Sequence, residues 1–163
     1  MRKILILLML FGTLLFAKEF TLKSILGKEY HMEITPLSLK IKEFPNTVVI
    51  LDFFGANCPP CIEEMPSLVK FQKTFSSNVR FIGIQSASKR NDKKMVKFAK
   101  KHHLNYPIIN LESAKEFIAY AQEKTNWNGA LPFKLMYDFE GVLSYELYGM
   151  VNEKKLLGAL QDL

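Results

Sequence analysis

The residues with the clearest capacity for chemistry are Cys58 and Cys61, the only two cysteines in a chain of 163 residues. They stand three positions apart with Pro59 and Pro60 between them, and the apolar residues that follow recur at helical spacing. Prolines are favoured in the first turn of a helix, and side chains three positions apart on a helix lie about 5–6 Å from each other. The spacing therefore predicts a pair that can close and open a disulfide at a helix entrance.

The two cysteines are expected to have different roles. Cys58, at the helix entrance, faces unpaired backbone N–H groups and the positive end of the helix dipole, both of which favour a thiolate. Cys58 is therefore the predicted nucleophile. Cys61 lies one turn inside the helix, and we expect it to be the shielded thiol that attacks the mixed disulfide and releases the product.

A structural staple and half of a metal site are the rival interpretations of this pair. A disulfide that closes so short a loop removes little entropy from the unfolded chain, and a zinc site needs further ligands. Redox chemistry is therefore favoured. No metal is predicted, and no cofactor is expected beyond the redox-active disulfide Cys58–Cys61 itself.

Two carboxylates near the pair are further candidates. Asp52 lies within an apolar run, where burial of a carboxylate is costly unless the group is paired, protonated or used in chemistry. Glu64 lies three residues beyond Cys61 and so projects onto the same helix face. The alternatives are an exposed aspartate at a strand end and an exposed glutamate that stabilises the helix dipole, as Glu63 beside it would do.

Hydrophobic periodicity indicates the elements that must position these residues. The apolar run 47–54 is typical of a strand buried on both faces of a parallel sheet, and the helix with the cysteines is predicted over 58–75, kinked at Pro66. The other predictions are a hairpin over 20–34, an irregular stretch over 35–46, strands over 79–85, 106–110, 132–137 and 142–148, and helices over 92–103, 113–124 and 152–160. This order predicts an α/β fold with a mixed central sheet, helices on both faces and an N-terminal β-hairpin extension.

The N-terminus predicts export. Met1-Arg2-Lys3 is positively charged, and Ile4–Phe16 is an almost unbroken apolar run, which together indicate a signal peptide over residues 1–17. As a helix the apolar run reaches roughly 20 Å, against about 30 Å for a hydrocarbon core. Cleavage after Ala17 is therefore favoured over an uncleaved membrane anchor, and residues 18–163 are expected to form one domain.

The composition narrows the choice of partners. The net charge of +6 favours weak attraction to anionic surfaces or acidic partners but identifies none of them. No recognition motif with interleaved basic and aromatic residues occurs, so nucleic acid is not an expected partner.

The segment Thr47–Pro66, which reads TVVILDFFGANCPPCIEEMP, resembles the active-site segment of the thioredoxin superfamily. Phe20-Thr21-Leu22-Lys23 with Gly27-Lys28, and Glu64 followed by Pro66, resemble the TlpA/ResA branch of exported reductases. The order of elements matches that family over nearly the whole mature chain. One residue departs from the pattern: Asn57 occupies the position before the first cysteine, where the family usually has Trp, so partner recognition beside Cys58 is expected to differ.

The resemblance implies a thioredoxin-like fold and roles for the two carboxylates. Asp52 corresponds to the buried aspartate of thioredoxin, which would accept the proton of Cys61 during its attack. Glu64 matches a glutamate of the ResA-like reductases and would also handle protons.

The resemblance also implies a substrate site beside the disulfide. Leu131-Pro132 would form the loop in which a cis proline faces the cysteines, with Leu131 flanking the substrate chain; the alternative is an ordinary trans proline at a strand start. Pro59 and Pro60 would border the same site.

The predicted function is a monomeric, periplasmic thiol-disulfide oxidoreductase that reduces disulfides in exported proteins, including apocytochromes during cytochrome c maturation. The resemblance implies a membrane electron donor of the DsbD/CcdA type. A disulfide-forming oxidase or isomerase on the same site remains an alternative, because related dithiols differ by about 150 mV in reduction potential. A non-enzymatic Cu(I)-binding chaperone of this fold is a further alternative, which would need a suitably placed histidine.

Overall fold

The computed structural model describes residues 17–163, which form two β-sheets and four α-helices. The five-stranded sheet has the strand order β6-β5-β4-β7-β8, and the first three strands form a separate antiparallel sheet. The predicted α/β architecture is therefore confirmed. The elements in chain order are β1 (Lys18–Lys23), β2 (Glu29–Ile34), β3 (Leu39–Ile41), β4 (Val48–Gly55), α1 (Pro59–Thr74), β5 (Val79–Ala87), α2 (Asp92–Lys101), β6 (Ile108–Ile109), α3 (Leu111–Lys124), β7 (Phe133–Tyr137), β8 (Leu143–Tyr148) and α4 (Glu153–Gln161).

Strand β4 occupies the centre of the five-stranded sheet and is covered on both faces. All eight of its residues are buried, as the continuous apolar run predicts. It pairs in parallel with β5 and antiparallel with β7, so the sheet is mixed. The strand ends at Gly55, shortly before Cys58, and this places the cysteines at the carboxyl end of the central strand.

Two hydrophobic cores lie on opposite faces of this sheet. Helices α1, α2 and α4 contribute to one core, which includes Met65, Met95 and Leu156. Helix α3 and the N-terminal sheet contribute to the other, which includes Met32 and Phe117. Parallel neighbours require a crossover connection, and two successive right-handed crossovers, β4–α1–β5 and β5–α2–β6, place α1 and α2 on the same face.

The N-terminal extension is larger than predicted. The hairpin β1–β2 is present with alternating burial, but residues 39–41, within the stretch predicted to be irregular, form the third strand β3. Three residues are too few to show alternation in a sequence. The Leu39 N–H donates to the Gly141 carbonyl at 2.8 Å, which joins β3 to the β7–β8 turn.

The other boundaries differ from the predictions where capping and proline chemistry intervene. The strand predicted over 106–110 is limited to two residues, because Pro107 offers no N–H and Asn110 is the N-cap of α3. The Asn110 side chain accepts from Ser113 N–H, so α3 begins two residues earlier than predicted. Helix α1 continues through Pro66.

The signal peptide and the uncleaved anchor were both predicted on residues 1–17, of which 1–16 lie outside the described residues. Among residues 17–163, no helix is both long enough and apolar enough to cross a membrane.

Candidate active site

Cys58 and Cys61 form a disulfide at the N-terminus of α1. Their sulfur atoms are 2.04 Å apart and their Cα atoms 5.2 Å apart. The chain reaches Cys58 directly from the buried strand β4, and Pro59 and Pro60 take the first two positions of the helix. Cys58 is half-buried, whereas Cys61 is only 1% exposed. An incoming molecule can therefore reach Cys58 far more readily than Cys61.

The sulfur of Cys58 serves as the N-cap of α1. Its Sγ accepts a hydrogen bond from the Cys61 backbone N–H at 3.3 Å. In the reduced protein, the same N–H and the positive end of the helix dipole would stabilise a negative charge on this sulfur. The environment therefore favours Cys58 over Cys61 as the nucleophilic thiolate.

The loop before β7 lies against the cysteines. The Leu131–Pro132 peptide bond is cis, as predicted. Gly55 leaves room between the two segments: a Cβ built on it would lie 3.3 Å from Cys58 Cβ and 3.4 Å from Leu131 Cδ1. Leu131 thus lies beside Cys58. The Pro132 carbonyl already accepts from Gly149 N–H at 2.9 Å, so this carbonyl is bonded within the protein.

Trp127 supports this loop from the core rather than from its surface. The indole is buried and stacks on Phe133 with ring centroids 5.0 Å apart. Its Nε1–H donates to the Ala130 carbonyl at 2.6 Å. Trp127 therefore fixes the backbone immediately before Leu131, and its side chain is buried.

A buried lysine joins the two candidate carboxylates. Asp52, Glu64 and Lys134 are 1%, 3% and 0% exposed. The Lys134 Nζ lies 2.5 Å from Glu64 Oε1 and 3.2 Å from Asp52 Oδ1. The contact with Glu64 is a hydrogen bond, whereas the contact with Asp52 is a charge contact in which Oδ1 accepts no hydrogen bond from the described residues. The exposed alternatives for both carboxylates are therefore wrong.

Burial dominates the electrostatics of this group. Loss of solvent raises the pKa of Asp52, although the Lys134 ammonium opposes that change. Burial also raises the pKa of Glu64; Asp52 adds to this rise and Lys134 opposes it. The pKa of Tyr106 is well above its usual value, first because of burial and then because of the two carboxylates. Its hydroxyl has no hydrogen-bond partner among residues 17–163.

Lys134 is the residue that the sequence predictions missed. It stands in the run Phe133-Lys134-Leu135-Met136 of β7, all of whose members are buried. A single lysine in an apolar run signals a buried charge in the same way as Asp52 did. The antiparallel register of β4 and β7 sets Lys134 directly opposite Asp52, and that pairing cannot be predicted from either segment alone.

Asn57, the departure from the family pattern, is exposed and contacts a cation. Arg90 donates to Asn57 Oδ1 and to the Ala56 carbonyl. A shallow groove of about 560 Å³ continues from there along α2, and it is lined by four cationic side chains together with His102, Ala56, Asn57, Ile62 and Phe98. The cationic residues are Arg90, Lys94, Lys97 and Lys101. The position that usually holds an aromatic ring thus borders a positively charged surface.

Among residues 17–163, no three histidine, cysteine or acidic side chains are grouped as a metal site would require.

Comparisons with known proteins agree with this geometry. The model of the AhpC/TSA family matches residues 16–146. The chain is 28% identical to the thiol-disulfide oxidoreductase ResA of Bacillus cereus, over 94% of this chain and 90% of that protein. It is 27% identical to the thioredoxin-like protein YneN of Bacillus subtilis over 57% of this chain, a match that spans only 50% of YneN. The crystal structure of StoA from Bacillus subtilis has the same fold, with a TM-score of 0.63 at 20% identity over 90% of this chain and 98% of StoA.

The fold, the disulfide at the helix entrance and the cis-proline loop define the class of thiol-disulfide oxidoreductases with a thioredoxin-like fold. The chain belongs to the AhpC/TSA family and is a TlpA/ResA-like member of the thioredoxin superfamily.

Proposed function

We propose that this protein is exported and reduces disulfide bonds in other exported proteins. The observation that carries the proposal is the asymmetric pair at the start of α1, in which a half-buried sulfur caps the helix and a second sulfur lies buried one turn below it. This arrangement suits a dithiol that exchanges bonds with a partner better than a disulfide that only holds the chain together.

The proposed reaction proceeds in two exchanges. The Cys58 thiolate attacks one sulfur of the substrate disulfide, so that a mixed disulfide forms and the other substrate sulfur leaves as a thiolate. Cys61 then loses its proton to Asp52 and attacks Cys58 Sγ, which forms the Cys58–Cys61 bond and releases the second substrate thiolate. Two electrons pass to the substrate, and its thiolates take up two protons, one of them returned by Asp52.

Support for Asp52 as the proton acceptor comes from its position and its surroundings. In β4 it alternates with Ile50 and Phe54, which pack in the same core as Cys61. Burial raises the pKa of Asp52, which brings it closer to the pKa of a thiol than the pKa of an exposed carboxyl would be. This suits a group that takes up and returns a proton.

The substrate chain would bind across the segments that border Cys58. Pro59 is exposed at the helix start, and Pro60 and Leu131 are half-buried. Pro132 is buried and would act by shaping the loop. We infer that these four residues border the peptide around the target disulfide.

The cellular setting is proposed from the N-terminal pattern and the relatives. A signal peptide over residues 1–17 would deliver a monomer to the periplasm. There a membrane protein of the DsbD/CcdA type would return electrons to the Cys58–Cys61 disulfide, and apocytochromes in cytochrome c maturation are the proposed substrates.

The reduction potential of the Cys58–Cys61 couple tests the direction of the reaction. Equilibration with glutathione buffers should give a value close to the roughly −270 mV of a thioredoxin-type reductant. A value close to the roughly −120 mV of a DsbA-type oxidant would replace the reductase assignment with the oxidase alternative. Partners would be captured in cells as mixed disulfides with the C61S variant, with C58S as the matched control that captures none.

A further inference from the structure

One ammonium group and two carboxylates share a buried space beneath the disulfide. Lys134 reaches it from β7, Asp52 from the central strand β4, and Glu64 from α1, one turn beyond Cys61. If both carboxylates were ionised, their two negative charges and the positive charge of Lys134 would leave a net charge of −1 in this buried space. Such a charge is costly, so one proton is easily held here.

The two carboxylates differ in how many hydrogen bonds they would lose by accepting that proton. Both oxygens of Glu64 are occupied: Oε1 accepts from Lys134 Nζ at 2.5 Å, and Oε2 accepts from the Val151 backbone N–H at 2.9 Å. Asp52 Oδ1 is buried and accepts no hydrogen bond from the described residues. Protonation of Glu64 would break a charged hydrogen bond of 2.5 Å, whereas protonation of Asp52 would weaken only the longer contact of its Oδ1 with Lys134 Nζ, at 3.2 Å.

Glu64 also joins three segments around the site. Its bonds connect α1 to Lys134, two residues past Pro132, and to Val151 in the β8–α4 connection. The same connection donates to the Pro132 carbonyl through Gly149 N–H. An ionised Glu64 therefore holds the cis-proline loop in position relative to α1.

We propose that Lys134 is a positioning residue that gives the two carboxylates separate tasks: it holds Glu64 as a fixed anion and leaves Asp52 as the proton acceptor for Cys61. This rests on the proposed function, and it differs from the sequence prediction, in which both carboxylates handled protons. Lys134 acts through these neighbours and does not touch the substrate.

The charge balance explains why the lysine is needed. Without it, two buried carboxylates would face each other with no cation from β7, and repulsion would favour protonation of both. Asp52 would then already carry a proton when Cys61 needs to lose one. The other titratable groups facing the space are Cys61 on α1 and the Tyr106 hydroxyl before β6, which stays neutral because its pKa is well above the usual value.

The test follows the second exchange step across a range of pH. An aromatic disulfide reagent that releases one coloured thiolate per step reports attack by Cys58 first and resolution by Cys61 second. Resolution requires ionised Asp52, so its rate should rise with pH through a midpoint. Lys134→Met should move that midpoint to higher pH by about one unit or more, the usual effect of removing an adjacent opposite charge.

Glu64→Gln gives a prediction of opposite sign. Removal of the fixed negative charge leaves Asp52 alone with Lys134, so the midpoint should move to lower pH. If Glu64 were the proton acceptor, the rise of the resolution rate with pH through a midpoint would be lost instead, and the division of tasks would be overturned. Glu63→Gln, on the exposed neighbour, is the matched control and should leave the profile unchanged.

The remaining outcomes are also decisive. A folded Lys134→Met variant with the original midpoint would overturn the role of Lys134. If that variant does not fold, the double variant Lys134→Met/Glu64→Gln replaces it, because it carries one buried charge fewer. The midpoint of the double variant should still lie at higher pH than that of Glu64→Gln. If the unmodified protein releases no second thiolate, the proposed function fails. That result can be told apart from failure of the role of Lys134, in which the second step occurs but its midpoint does not move.

Discussion

Among single residues, Asp52 has the environment with the most direct consequence for stability. Burial raises its pKa, so the folded protein keeps a proton on this carboxyl at pH values where the unfolded chain has released it. The folded state then binds more protons than the unfolded state, and the free energy of unfolding decreases as pH rises. The window begins at about pH 4, the ordinary value for an aspartate, and extends to the raised pKa.

We therefore expect Asp52→Asn to weaken this pH dependence, because asparagine carries no such proton. Urea unfolding at a series of pH values would give the free energy of unfolding for both proteins. The decrease in stability with rising pH should be smaller in the variant, and Glu63→Gln should retain the original slope. An Asp52→Asn slope equal to that of the unmodified protein would mean that Asp52 titrates alike in both states.

The residues of the site differ in how far the sequence reveals them. Cys58, Cys61 and Asp52 can be identified from the sequence, because a close pair of cysteines and a carboxylate in an apolar run are locally unusual. The partners of Lys134 become apparent only from the pairing of β4 with β7, which brings together distant parts of the chain. The apolar run around Lys134 signals its burial, but it does not identify the groups with which the lysine is buried.

At the scale of elements, the start of α1 combines structural and chemical roles. Helices α2, α3 and α4 are capped by Asn91, Asn110 and Asn152, whereas α1 is capped by the sulfur of Cys58. The N–H group that a capping side chain satisfies is thus the one that faces the reactive sulfur. In the proposed mechanism, this N–H would activate the nucleophile at the point where the chain passes from β4 to α1.

The loop from α3 to β7 depends on Trp127, and Trp127→Phe should show this dependence. The variant loses the hydrogen bond to the Ala130 carbonyl and part of the stacking on Phe133, so we expect a loss of about 1–2 kcal/mol of stability. Circular dichroism should be used to follow unfolding, because Trp127 is the only tryptophan of the chain. Phe139→Leu, at a half-exposed ring, is the control and should cost less than about 0.5 kcal/mol. Equal costs in both variants would contradict the supporting role of Trp127.

Most elements were predicted closely, but the two shortest strands were not. The strand β4 and the helix α1 were placed within one or two residues because burial on both faces and helical spacing are repeated along them. Strand β3 has three residues and β6 two. Both exist because a neighbouring strand supplies hydrogen bonds, a condition that their own residues do not reveal.

At the scale of the whole molecule, backbone hydrogen bonds join the two sheets at two places among residues 17–163. The Ile25 N–H donates to the carbonyl of Ile108, in the edge strand β6, at 2.9 Å. The Leu39 N–H donates to the Gly141 carbonyl in the β7–β8 turn. The sequence predicted both a hairpin and a central sheet, but their mutual placement comes from these contacts and from the shared core.

Gly141→Ala should test the second junction. Gly141 has a φ of 86°, and an added Cβ would clash with the Leu39 carbonyl oxygen. Gly27 has nearly the same φ, 87°, but no atom within 4 Å of an added Cβ. Gly27→Ala should therefore cost only the backbone strain of about 1–2 kcal/mol, and Gly141→Ala should cost about 1–3 kcal/mol more. Equal losses of denaturant stability would show that the junction tolerates the extra atom.

The most direct test of the whole account is the rate at which the reduced protein and its C58S and C61S variants reduce a protein disulfide such as that of insulin. We predict that neither variant completes catalytic cycles, that C61S accumulates a mixed disulfide, and that C58S forms none. Turnover at the original rate by either variant would contradict the account, because exchange would then not require a nucleophilic sulfur at the helix start and a second sulfur beneath it.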